Sequence, residues 1–258
     1  MFLNRAAASV RIIRTLVMHD IQTRIGASYL GFAVAIMWPL THLGVIVAVR
    51  ALVSKMSPAG DNPIIFFGTG VLPYILCLYP ARLMAMTISQ KKYILAIPIV
   101  NPVQLMFARA VVEIIIALIV GILFWIILTI SGIDFVPYNI HAAVQAIGAS
   151  IYLGITIGIF NAVMGASLGA YYVILFYFVM IGLFIVSGAY FPVYLAPEKM
   201  KVYIEYDPLY HLVNWFRSAY YVDQTLIEFD RMYIFKIGAV SLFLGLFLER
   251  MLRGKLLR

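Results

Sequence analysis

The chain has 258 residues, of which 64% are hydrophobic and 12% charged, against roughly 45–50% and about 25% in ordinary soluble domains. A water-soluble body of this length cannot hide so much apolar surface, so lipid is the expected solvent. The formal net charge is +8, yet the 19 Lys and Arg lie mostly at the chain ends and in connecting segments, which fits the positive-inside rule of membrane proteins better than a nucleic-acid-binding stripe.

Residues 1–28 differ in pattern from the rest of the chain. At about 100° per residue, Val10, Ile13, Val17 and Ile21 fall on one helical face, with Arg11, Thr15, His19, Gln22 and Thr23 opposite. The pattern predicts an amphipathic helix on the cytoplasmic membrane surface; a loosely structured basic arm is the alternative. Arg11, Arg14, His19, Asp20, Gln22 and Arg24 interrupt the apolar residues, so no cleavable signal peptide is expected.

Six apolar stretches come next: Tyr29–Leu52, Ile64–Ile88, Val103–Ser131, His141–Leu168, Tyr171–Gly188 and Met232–Glu249. Each is close to the roughly 20 residues a helix needs to cross the hydrocarbon core. β-Barrel alternation is missing, and residues 111–130 are apolar on every face. An all-α polytopic membrane protein is therefore expected, one transmembrane domain with spans one to five in 29–188 and span six in 232–249. Pro39, Pro73 and Pro80 imply kinks inside spans. With a cytoplasmic N-terminus, eleven Lys and Arg fall inside and six outside, most acids falling outside. Both termini, including the basic tail 250–258, are thus expected in the cytoplasm.

Two connecting segments stand out. Residues 89–102 begin basic and turn apolar, as a short helix that inserts into a partner's groove would. In 189–231, Pro197–Glu198 and Asp207–Pro208 each suit a helix start. The apolar run Leu209–Val222 is too short to span and contains Arg217, so two short helices, re-entrant or on the outer face, are expected. Tyr190, Tyr194, Tyr203, Tyr206, Tyr210, Trp215, Tyr220 and Tyr221 crowd this region, as interfacial anchors do.

There is no P-loop, no H-E-x-x-H, no G-x-S-x-G and no Cys/His metal spacing, so neither ATP binding nor catalysis is expected of this chain. The single Cys77 allows no intrachain disulfide. Charges within spans are few: Arg82, Glu113 and Lys236. Glu113 follows Arg109 by one helical turn, as a structural ion pair would; proton coupling is the alternative.

The segment HDIQTRIGASYLGFAVAIMWPLTHL (19–43) resembles the (D/E)-I-x-T-R-x-G…L-G…W…P…H pattern of bacterial capsular polysaccharide ABC exporter permeases, of the ABC type-2 class. Similar stretches are GVLPY (70–74), ARAVVE (108–113), SGAYFP (187–192) and DPLYHLVNWFR (207–217). Asp207 and Asn214 stand where that pattern carries Asn and Glu. The resemblance implies a transport subunit of the inner membrane, forming a homodimer with two copies of a separate ATPase. ATP and Mg would sit on that ATPase, leaving this chain without a cofactor.

The resemblance also implies that the 89–102 loop and the N-terminal helix face the ATPases. Lys91, Lys92, Tyr93, Ile94, Leu95, Ile97 and Arg24 are then the candidate coupling residues. Spans one and five would line the conduit. There Trp38, Tyr171, Tyr177 and Phe184 are candidate rings along which a sugar chain slides, with His42 beside them. Arg50 and Lys55 would attract an acidic polymer. Tyr190, Phe191, Tyr194, Tyr210 and Trp215 are candidates for an outer gate. The expected cargo is an acidic, lipid-anchored capsular polysaccharide, handed to a periplasmic adaptor and an outer-membrane exporter. Lipid-linked O-antigen, teichoic acid or a small lipophilic compound is the alternative cargo, and a membrane enzyme or scaffold the competing class.

Overall fold

In hydrocarbon every backbone N–H and C=O must bond within its own segment, which is why so apolar a chain resolves into helices. The computed structural model describes residues 2–25, 29–54, 57–58, 60–191, 193, 196–221 and 229–256, with helical side chains described except those of 2–6, 24–25 and 29–30. Among the described residues the chain forms eleven helices and no strand. They are α1 (Phe2–Ile25), α2 (Tyr29–Val53), α3 (Pro63–Met84), α4 (Thr87–Gln90), α5 (Lys92–Leu95), α6 (Pro102–Ile130), α7 (Ile140–Leu168), α8 (Ala170–Val186), α9 (Glu198–Ile204), α10 (Pro208–Arg217) and α11 (Arg231–Leu256).

Asparagine starts three of the long helices. Asn62 accepts from Ile64 N at 2.9 Å, Asn101 from Gln104 N at 2.9 Å and Asn139 from Ala142 N at 3.0 Å. Gln104 reaches back to Asn101 N, closing a capping box, and Pro63 and Pro102 occupy first-turn positions where the missing N–H has no partner to lose.

α2, α3, α6, α7 and α11 are long and apolar enough to cross a membrane. The fifth expected span, Tyr171–Gly188, is instead a 17-residue helix, α8. It is cut short because Gly169 and Gly188 both take positive φ, 74° and 79°, and turn the chain at either end. α8 nevertheless runs alongside α3. Tyr172 Oη bonds Asn161, which donates to the Ala81 carbonyl, while the other end of α8 meets Phe66 through Arg217. At 1.5 Å per residue α8 is about 25 Å long, near the lower limit for a crossing.

α3 is the hub. Its residues 66–81 are buried, enclosed by α2, α6, α7 and α10. α7 reaches it closely because small residues line the contact: a Cβ on Gly154 would lie 2.5 Å from the Cys77 carbonyl oxygen, and one on Gly158 2.7 Å from Met84 Sδ. α11 lies on α7 by the same device at Gly245, whose added Cβ would meet the Phe160 backbone at 2.8 Å. α1, α4 and α5 cluster at one end of this bundle, and α9 and α10 at the other.

α1 keeps most of the face read in the sequence, since Ile13, Val17 and Ile21 are packed inward and half-buried. Its inward side carries Leu16 and Asp20, flanked by Ile12 and Ile13, and packs on Ile94, Leu105 and Ala108 of α5 and α6, while Val10 is exposed. Helix-on-helix packing centres the buried stripe on Leu16 and Asp20, beside Ile13 and Val17.

Candidate functional site

One face of the bundle, formed by α2, α3 and α8, gathers aromatic rings and arginines. Trp38 is 65% exposed there, whereas Tyr171, 87% exposed, lies on the stripe of α8 that carries exposed Ile174, Leu175 and Phe178, away from Tyr177 and Phe184. Trp38, Pro39, Tyr79 and Arg82 line a hollow of about 350 Å³ that contains no carboxylate. Arg82 sits over the Tyr177 ring, Cζ to centroid 5.0 Å, and His42 Nδ1 lies 3.1 Å from the Tyr79 hydroxyl. At the far end Arg50 sits 3.8 Å from the Tyr190 centroid and hydrogen-bonds that side chain. Between them Tyr74 stacks on Phe184 at 3.8 Å, and Phe184 meets Tyr190 edge-on at 4.8 Å. Among the described residues neither Arg50 nor Arg82 has a carboxylate within ion-pair distance. A guanidinium held on a ring keeps its charge available to a passing anion.

Phe184 is corrected by this geometry. It is buried between Tyr74 and Tyr190 and cannot serve as a surface ring; it stiffens the wall instead. Lys55 and Tyr194 lie outside the described residues, as does the Arg24 side chain. Tyr74 and Tyr79 were not singled out from the sequence, because an aromatic in an apolar run carries no periodic mark.

A second constellation ties α1, the α4–α5 turn and α6 together. Lys91 Nζ donates to Asp20 Oδ1, Arg109 Nη1 to Asp20 Oδ2 at 3.3 Å, and Arg109 Nη2 to Glu113 Oε1 at 2.8 Å. The four side chains are nearly dry, from 1% exposed at Glu113 to 13% at Lys91. Among the described residues these two acids and two bases balance one another, which is what makes their burial tolerable. The Arg109–Glu113 pair read from the sequence is present. The parts played by Asp20 and Lys91 were missed, since 71 residues separate them.

Of the candidate coupling residues, Lys91 is thus turned inward, Ile94 is buried and Leu95 is half-buried, whereas Lys92, Tyr93 and Ile97 are exposed together with Ile99. Tyr93, Ile94, Ile97 and Ile99 share a hollow of about 360 Å³ with Arg11, Thr15, Leu16 and His19 of α1. Loop and first helix therefore form one surface.

At the opposite end α10 is buried along Leu209–Arg217, against α3, α7 and α11. Asp207 caps it by accepting from Leu209 N at 2.8 Å, with Pro208 in the first turn. Burial pushes the Asp207 carboxyl up to about 7, against the pull of the backbone N–H groups it accepts from. Arg217 is fully buried and donates to the carbonyls of Gly188 at 2.7 Å, Ala189 at 2.9 Å and Phe66 at 3.4 Å, with its Cζ 3.9 Å from the Phe66 centroid. Carbonyls at the end of α8 offer it negative partial charge in place of a carboxylate. The approach needs Gly70, whose Cβ would meet the Ala189 oxygen at 2.6 Å.

Tyr210 and Trp215 are buried here, while Tyr190 and Phe191 are half-buried at the end of α8. Trp215 is flanked by Phe229, Phe235 and the Arg231 guanidinium. α9 is mostly exposed, and Pro197 stands at its N-cap rather than in its first turn. Among the described residues no three His, Cys, Asp or Glu come together to hold a metal ion.

No family model matches the sequence. The chain is similar to two Escherichia coli proteins, each described as polysialic acid transport protein KpsM, at 24% identity over 238 residues, 92% of this chain and 92% of the relative. It is likewise 26% identical over 247 residues to the capsule polysaccharide export inner-membrane protein CtrC of Neisseria meningitidis serogroup A, covering 95% of this chain and 92% of the relative. These relatives bear out the resemblance to capsular polysaccharide export permeases, and the similarity runs almost end to end.

Proposed function

We propose that this chain is the membrane-spanning permease of an ATP-driven exporter that moves an acidic, lipid-anchored capsular polysaccharide across the inner membrane. The observation that carries the reading is the α2–α3–α8 face: the exposed ring of Trp38, the Tyr177 ring under Arg82, and Arg50 and Arg82 lacking carboxylate partners among the described residues. Relatives concerned with capsule and polysialic acid transport favour the same cargo class.

Two copies facing each other through this surface would enclose a conduit walled by rings and lined at both ends by cations. Aromatic faces hold sugars by apolar contact without fixing them, so a chain can advance in small steps. The arginines draw in carboxylates or phosphates and exclude cationic polymers. Drive comes from a separate ATPase docking on the surface made by α1 and the exposed Tyr93, Ile97 and Ile99. Its strokes reach α6 through the Asp20–Arg109 contact. Six crossings, counting α8, return the chain to its starting side and favour both termini in the cytoplasm, with α9 and α10 outside or re-entrant. A periplasmic adaptor and an outer-membrane exporter would receive the polymer there.

Trp38→Ala and Arg82→Gln are expected to lower polysaccharide at the cell surface several-fold with unchanged protein level; normal surface polysaccharide in both variants refutes the conduit. Replacing Tyr93, Ile97 and Ile99 together by Asp is expected to abolish co-purification of the ATPase. Undiminished co-purification would move the docking surface elsewhere.

A further inference from the structure

A second hollow, of about 380 Å³, opens between α6 and α7 at the α10 end and shares no residue with the Trp38–Arg82 hollow. Leu118, Ile122, Trp125 and Val144 form its rim and are exposed on the apolar faces of two membrane-crossing helices. Phe135, from the 131–139 connection, roofs it, packing against Tyr220 with centroids 4.7 Å apart. Phe216 and Tyr220, in and just beyond α10, form its floor. No lining residue is charged, and none is Ser, Thr, Asn or Gln. Water in such a space would lack the two to four polar partners it needs, so the space is dry or filled by something apolar.

Gly121 keeps the mouth wide: a Cβ built there has no atom within 4 Å, so glycine is not required by helix packing at that point. The rim continues directly into the hydrocarbon-facing surface of α6 and α7, which makes the occupant a matter of what surrounds those spans.

We infer that this groove is a lipid site, filled by an acyl chain of a membrane phospholipid from the leaflet on the α10 side, which thereby touches α10 through Phe216 and Tyr220. Among the described residues α10 is otherwise packed on α3, α7, α8 and α11, and the groove is where Phe216 approaches the exposed faces of α6 and α7. The physical reason is continuity: a tail entering sideways replaces void by dispersion contacts along its length and covers little polar surface. A lipid that fits this groove poorly would leave the 216–220 segment less well supported. Bilayer composition is then felt by the element that caps one end of the proposed conduit. The site itself stands on the groove alone, whatever the cargo.

The test uses the full-length protein in phosphatidylethanolamine nanodiscs doped with phosphatidylethanolamine carrying a diazirine in its acyl chain. After irradiation, labelled peptides are mapped by mass spectrometry. Label is expected on 118–125, on 135–140 and, decisively, on 216–220. Gly121→Leu, which fills the mouth, is expected to cut the 216–220 label at least ten-fold while leaving the label at exposed Phe243 and Phe247 of α11 unchanged. Val144→Trp at the opposite rim serves the same end should Gly121→Leu fail to accumulate. Absence of label at 216–220, equal labelling in the filled variants, or labelling by a diazirine glycolipid but not by the phospholipid would each overturn the inference.

Discussion

Replacing Asp20 by Asn removes one charge from a group of four and keeps its shape. In the wild-type chain the Asp20 carboxylate, 4% exposed, is shared between Lys91 and Arg109. After the change Lys91 and Arg109 face an amide in place of that carboxylate while Arg109 keeps its pairing with Glu113, so a nearly dry joint has lost one negative charge. Breaking a buried ion pair by removing one partner costs about 3–5 kcal/mol, and the Asn carbonyl, which still accepts one N–H, places the expected loss near the lower bound. Spread over a chain of this size, that corresponds to roughly 10 °C in thermal midpoint. The assay is thermal unfolding of purified protein in detergent, paired with hydrogen exchange along α1, α5 and the first turns of α6. Protection should fall at those elements and stay unchanged at α9 and α10. The decisive control is the double variant Asp20→Asn with Lys91→Gln, which removes one charge of each sign and leaves the Arg109–Glu113 pair intact. It should recover at least half of the loss. A single variant as stable as wild type, or a double variant no better than the single, refutes the shared-carboxylate account.

Arg217→Lys cannot reach three carbonyls with one compact ammonium, and a loss of about 2–3 kcal/mol is expected in the same melt, with exchange rising at 187–190 and 208–217. Gly154→Leu drives a side chain into the Cys77 carbonyl and should prevent accumulation of folded protein, while Gly121→Leu, with open space around it, should not. Asp207 supplies a pH test. Its folded pKa of about 7 lies above the unfolded value of 3.8, so its contribution to stability is greatest below pH 3.8 and is lost as pH rises through 7. Asp207→Asn keeps the cap without the charge, so it should be the more stable variant at pH 8 and lose its advantage by pH 4. Equal melting curves at pH 8 would refute the buried-carboxyl account.

Much of the fold was legible because its causes are local. Spans two to four fall within a few residues of α3, α6 and α7, since a helix in lipid is announced by an unbroken apolar run and by the Asn and Pro residues at its start. The Asp207–Pro208 start of α10 was equally local. Rings are different. Trp38 and Phe184 look alike in an apolar sequence, yet one is exposed and the other sealed between Tyr74 and Tyr190, because burial depends on which neighbours arrive from elsewhere in the chain.

What the sequence determined by itself is the solvent, the helices, their approximate ends and the scarcity of charge within them, all of which derive from composition and short-range pattern. What only the tertiary structure decided is partnership. Asp20 found Lys91 and Arg109 across 71 and 89 residues, Arg217 found carbonyls instead of a carboxylate, and the stripe of α1 turned toward α6. Such choices are made by the geometry of close packing and the cost of an unpaired charge in a dry place, neither of which is written in any one segment.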